Sequence, residues 1–113
     1  SDYVTNSMRI AERSRQAETV FQCQKLLSLI DRNHDLEHAK KALELAEIMN
    51  LPPLIAAALH RVTQIFLDRG DIERARYYGR KALFVYDDIK SRLSDTNRHY
   101  YVNRPEYIQL LEI

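Results

Sequence analysis

The chain has 113 residues, room for one small domain. Two glycines, three prolines and no Asn-Gly turn argue against an all-β fold, and the abundance of Ala, Leu, Glu, Lys, Arg and Gln favours helices. Seventeen basic and sixteen acidic residues leave a net charge of +1, so charge supplies no reason to expect nucleic acid or an anionic membrane as partner.

In chain order, the pattern predicts helices over about 2–14, 16–32, 35–49, 53–69, 71–92 and 104–113. The first, Ser1 to Ser14, ends in "IAERSR" (Ile10 to Arg15), which echoes "LAEIMN" (Leu45 to Asn50). It is therefore expected to be the second helix of a repeat whose first half lies outside this sequence. The next two helices make one copy of a unit, residues 16–50, and the following two make a second, residues 53–92. Aligning "CQKLLSLIDRNHDLEHAKKALELA" with "LHRVTQIFLDRGDIERARYYGRKA" puts Asp35 on Asp71, Glu37 on Glu73, Ala39 on Ala75 and Ala46 on Ala82. The offset is constant, 71 − 35 = 36 residues. Lys25/Arg61, Leu26/Val62, Leu29/Ile65, Ile30/Phe66 and Leu36/Ile72 match in the same register.

Within the second copy, Leu59, Val62, Ile65 and Phe66 form one apolar stripe at helical spacing. Ile72, Ala75, Gly79, Ala82, Tyr86 and Ile89 form another. Pro52 and Pro53 suit a helix start, and Asp35, Glu37, Asp71 and Glu73 suit the positive ends of helix dipoles. Small residues at 39, 46, 75, 79 and 82 predict close approach of neighbouring backbones, the expected compensation for a glycine inside a helix. Ser94 to Asn103 is polar and predicts a loop before the terminal helix 104–113. That helix carries Tyr107, Ile108, Leu110, Leu111 and Ile113, and is expected to fold back as a cap, the alternative being that it docks on another copy of the chain.

At this point the chain resembles the tetratricopeptide repeat family. The first-helix pattern is answered by Leu59, Val62-Thr63 and Phe66, and the second-helix pattern by Ala75 and Ala82. Copy one offers Cys23, Leu26-Leu27, Ile30, Ala39, Leu43 and Ala46. Departures are Gly79 for a larger residue, Asp87 for the final proline and His34 at the turn glycine. The 36-residue period exceeds the usual period of about 34 and is similar to longer repeats in bacterial signalling and transcription-regulator proteins. The resemblance implies an all-α, right-handed superhelical solenoid of antiparallel helix pairs, binding proteins or peptides rather than catalysing a reaction.

It also implies a concave groove lined by the outer face of each first helix. In copy one that face holds Phe21, Gln24, Lys25, Ser28 and Arg32; in copy two, Ala57, His60, Arg61, Gln64 and Asp68. Lys25 and Arg61 are equivalent, with Arg32 and His60 near them. Family members that clamp a terminal carboxylate pair such basic residues with asparagines, where Gln24, Ser28 and Gln64 stand here. An ordinary solvated charged face is the competing reading of these positions.

Other constellations are weaker. "HDLEH" (His34 to His38) matches a metallopeptidase string, but its counterpart "GDIER" has no ligand character, so no metal or cofactor is expected. Cys23 aligns with Leu59 and predicts core packing rather than nucleophilic chemistry beside His60. Tyr77, Tyr78, Tyr86, Tyr100, Tyr101 and Tyr107 crowd the second half and predict packing of helix 71–92 against the C-terminal segment. A single cysteine and the absence of a signal peptide or glycosylation sequon suit the cytoplasm. Opening without methionine and stopping inside an apolar run, the chain reads as a segment of a larger regulatory or signalling protein. The alternative role is self-association, with the ends of the solenoid pairing as a homodimer.

Overall fold

The computed structural model describes residues 2–93 and 103–113, with side chains from Val4. Among these, the chain forms five α-helices and no strand: α1 (Asp2–Ile30), α2 (Asp35–Met49), α3 (Pro52–Asp68), α4 (Ile72–Ser91) and α5 (Pro105–Leu111). A single 3₁₀ turn, Arg32–His34, joins α1 to α2. The expected loop at Ser94 to Asn103 lies outside the described residues apart from Asn103.

Each helix packs on the next in chain order, and the pairs run antiparallel. Phe21 near the end of α1 meets Ala42 and Ala46 of α2; Ala39 at the start of α2 meets Val62 to Phe66 at the end of α3. Ala56 at the start of α3 lies with Ala82 and Tyr86 near the end of α4. Ala39, Ala46, Ala75, Gly79 and Ala82 are all buried, as close helix approach requires. The C-terminal helix folds back over the α3–α4 pair, burying Tyr107 and Leu110 against Ala56, Leu59, Ala82 and Tyr86. Tyr107 also donates a 3.0 Å hydrogen bond from its hydroxyl to Asp87 and accepts one from Lys90 at 3.2 Å.

The two turns differ because their key residues differ. Gly70 adopts φ 76°, the left-handed region that glycine enters without a Cβ penalty, and Asp71 then caps α4 by accepting from the Arg74 N–H at 3.1 Å. His34, the counterpart of Gly70, stays at φ −128°, so copy one turns through a 3₁₀ segment instead. An Arg69–Asp35 ion pair joins the two turns. Asn50 at φ 53° closes α2, with its N–H and that of Leu51 returning to α2 carbonyls.

Two expectations are corrected in α1. The predicted break near residue 15 is absent, and α1 runs unbroken for 29 residues. Between Ile10 and Gln22 there is no glycine or proline to stop a helix rich in Arg, Gln, Ala and Glu. Residues 2–14 are consequently a collinear extension of the first-copy helix, not a separate half-repeat packed beside it. The second correction is rotational. The stripe expected in the core is solvent-facing: Cys23 is exposed, Leu26 is 56% exposed and Ile30 67%. Phe21 and Ser28, expected on the groove face, are fully buried instead. Phe21 fills space left by the alanines at 42, 46 and 58, and no other described helix covers the opposite stripe.

Gly79 gives a test of how tight the approach is. A Cβ there would meet Ile113 and Thr63 methyl groups at 3.5 Å and Leu110 at 3.6 Å, ordinary contact distances. Gly79→Ala is therefore expected to raise stability by about 0.5–1 kcal/mol through helix propensity, while Ala82→Leu, at a fully buried site, lowers it by about 1–3 kcal/mol. Urea midpoints moving the same way in both variants would contradict this spacing.

Candidate functional site

A cleft of about 270 Å³ opens where α1, α3 and α5 converge. From α1 it is lined by Lys25 and Leu29, from α3 by Ala57, His60, Arg61 and Gln64, and from the C-terminal segment by Arg104 and Glu106, with Tyr86 of α4 behind. Five of the expected groove residues, Lys25, Ala57, His60, Arg61 and Gln64, are thus brought together. Burial follows from the helix spacing: Val62, Thr63 and Phe66 point into the core, which turns positions 57, 60, 61 and 64 toward the cleft.

Arg61 is committed in part to the fold. Its Nε donates to Ser28 Oγ at 3.1 Å and its Nη2 to the Ser28 carbonyl at 2.8 Å, tying α3 to α1. Ser28 is thereby a buried strut behind the cleft. His60 is partly buried; its Nε2 lies 2.7 Å from Gln109 Oε1, and Gln64 Nε2 approaches the same oxygen at 3.5 Å. Burial lowers the pKa of the imidazole, with the Gln109 contact opposing that shift. A histidine whose pKa is lowered on folding contributes fully to stability above the ordinary imidazole pKa and less as the pH falls below it.

The remaining expected residues stand elsewhere. Gln24 turns toward α2, where its Oε1 lies 2.7 Å from His38 Nδ1. Arg32 is exposed on the 3₁₀ turn and Asp68 is exposed at the end of α3, and neither lines the cleft. The reason is the α1 rotation for Gln24 and the early end of α1 for Arg32. Conversely, Arg104, Glu106 and Gln109 were missed by sequence reasoning. Their legible signal was the polar face of an amphipathic helix whose other face holds Tyr107 and Leu110. Glu106 Oε2 is buried without a hydrogen bond and lies 3.7 Å from Arg104 Nε.

Three cations, Lys25, Arg61 and Arg104, thus border the cleft against one carboxylate, Glu106. The arrangement suits an acidic or carboxylate-bearing group more than a cation. The "HDLEH" residues lie apart from it: His34 Nδ1 and His38 Nε2 converge on Asp31 at 3.2 and 3.3 Å, and Glu37 pairs with Lys41. The hydrogen bond from His34, followed by that from His38, holds the Asp31 carboxyl below its ordinary pKa. Among the described residues no group of three or more His, Cys, Asp or Glu is arranged to hold a metal. The tyrosines divide: Tyr86 and Tyr107 meet edge to face at 6.2 Å and Tyr78 stacks on Phe66, while Tyr77 is exposed. Tyr100 and Tyr101 lie outside the described residues. No described helix is long and apolar enough to cross a membrane. Comparisons with protein-family models, curated proteins and solved structures return no match.

Proposed function

We propose that this chain is a protein- or peptide-binding module of the tetratricopeptide type, a binding rather than catalytic segment of a larger cytoplasmic regulatory protein. Support for a solenoid comes from the sequential antiparallel packing and from α1, α3 and α5 meeting along one side at the cleft. The lone exposed Cys23 suits a reducing compartment. One observation carries the binding reading: the repeat-equivalent Lys25 and Arg61, with His60 and Gln64 of α3 and the C-terminal segment, surround an open cleft. Its ligand is an acidic segment or a chain terminus, received among the cations with Leu29 and Ala57 as the apolar floor.

Lys25 is the residue to change, because Arg61 also holds α1 to α3. On an array of acidic and free-carboxylate peptides, Lys25→Glu is expected to weaken binding at least about tenfold, the equivalent of about 1.4 kcal/mol. Lys40→Glu, exposed on α2 and away from the cleft, should leave binding unchanged. Equal binding by Lys25→Glu and parent would place the interaction on another surface.

A further inference from the structure

Eight of the large exposed apolar side chains belong to one helix: Val4, Met8, Ile10, Val20, Leu26, Leu27, Leu29 and Ile30 of α1. The first part of α1 faces solvent along all its described side chains. Every residue from Val4 to Gln16 is exposed, and Ala17 is the first to be even half-buried. A helical stretch of that length without tertiary packing is marginal in water, so its stability has to come from something that covers it.

The pattern on α1 indicates what fits. At about 100° per residue, Val4, Met8, Ala11, Cys23, Leu26 and Ile30 share one face spanning about 120°. That face is roughly opposite the one that Phe21 and Ser28 bury against the rest of the fold, so α2 does not obstruct it. Its apolar residues sit at the two ends and its polar residues in the middle. They are also spaced symmetrically: 4 + 30, 8 + 26 and 11 + 23 each equal 34. A two-fold axis passing near residue 17 therefore sets Val4 on Ile30, Met8 on Leu26 and Ala11 on Cys23 of a second copy, and the reverse.

We propose that α1 is the dimerisation helix of this protein, pairing antiparallel with α1 of a second copy through this face. The isologous contact is self-complementary, as a two-fold interface requires. The N-terminal extension of one chain covers the stripe that its partner leaves uncovered at Leu26 and Ile30. Charge selects the direction. Antiparallel pairing brings Arg15 beside the partner's Glu18 on the same flank at both sides of the axis, whereas parallel pairing sets Arg15 on Arg15 near the centre of the face. The correction found in the fold acquires a cause here: residues 2–14 run straight on because their apolar face is used by another chain. Lys25 lies off the pairing face, while Leu29, which lines the cleft, stands at its edge on the same side as Ala11, so the two surfaces adjoin.

The test uses the 113-residue chain and its one cysteine. Sedimentation equilibrium should show a monomer–dimer equilibrium, and Met8→Glu or Leu26→Glu should raise its dissociation constant at least about tenfold. Arg15→Glu should weaken the dimer, and Arg15→Glu with Glu18→Arg should restore it. Mild oxidation of Ala11→Cys should give a disulfide dimer that disappears when Cys23→Ser is added, while the parent gives none. A parent that stays monomeric from micromolar to millimolar concentration overturns the proposal. So does efficient cross-linking of the parent through Cys23, which denotes parallel pairing, or a dimer unaffected by Met8→Glu and Leu26→Glu.

Discussion

Phe66→Ala is expected to lower the unfolding free energy by about 3–5 kcal/mol, whereas Ile30→Ala, its counterpart one repeat earlier, changes it by no more than about 0.5 kcal/mol. The two positions are equivalent in the 36-residue alignment. Only the structure separates them. Phe66 is 3% exposed, packed with Ala39, Val62, Ile65 and Ala75, and stacked on Tyr78 at a centroid distance of 5.5 Å. Its removal leaves a cavity bordered by helices that the alanines already hold close, so little collapse can fill it. Ile30 sits at the end of α1 facing solvent. Urea titrations followed by circular dichroism, at concentrations dilute enough for monomer, would check the pair. Equal losses at both sites would mean that α1 presents its Leu26–Ile30 face to the core and that the rotation described above is wrong.

Removing Asn103 to Ile113 is expected to cost about 3 kcal/mol or more, because two nearly complete side-chain burials, Tyr107 and Leu110, are lost. Deletion also uncovers Leu59, Ala82 and Tyr86 and ends the Tyr107 hydrogen bonds to Asp87 and Lys90. The remainder should show a lower urea midpoint and scatter light as the exposed α3–α4 surface associates. Tyr107→Phe, which keeps the ring and loses only the hydroxyl, should cost about 1 kcal/mol. A truncated chain with the parent's midpoint would show that α5 contributes no net stability. Since the deleted segment also supplies Arg104 and Glu106 to the cleft, the truncated chain should lose the peptide binding proposed above even at temperatures where it remains folded.

What the sequence alone determined is local and periodic. Helix content, the Pro52 start of α3, and the buried alanines at 39, 46, 75 and 82 follow from spacing and from backbone chemistry acting within a few residues. The apolar stripe of α3 was legible for the same reason, because its helix is flanked on both sides by neighbours that need it. Tertiary structure decided the rest. An apolar stripe at helical spacing says that a face seeks cover without saying which neighbour is there to supply it. In α1 two faces compete, and Phe21 against the alanines of α2 and α3 prevails over Leu26 and Ile30. The same rotation turns Gln24 to His38 and buries Ser28 behind Arg61. The C-terminal helix brings Arg104, Glu106 and Gln109 to residues more than forty positions earlier, a juxtaposition that no local periodicity encodes.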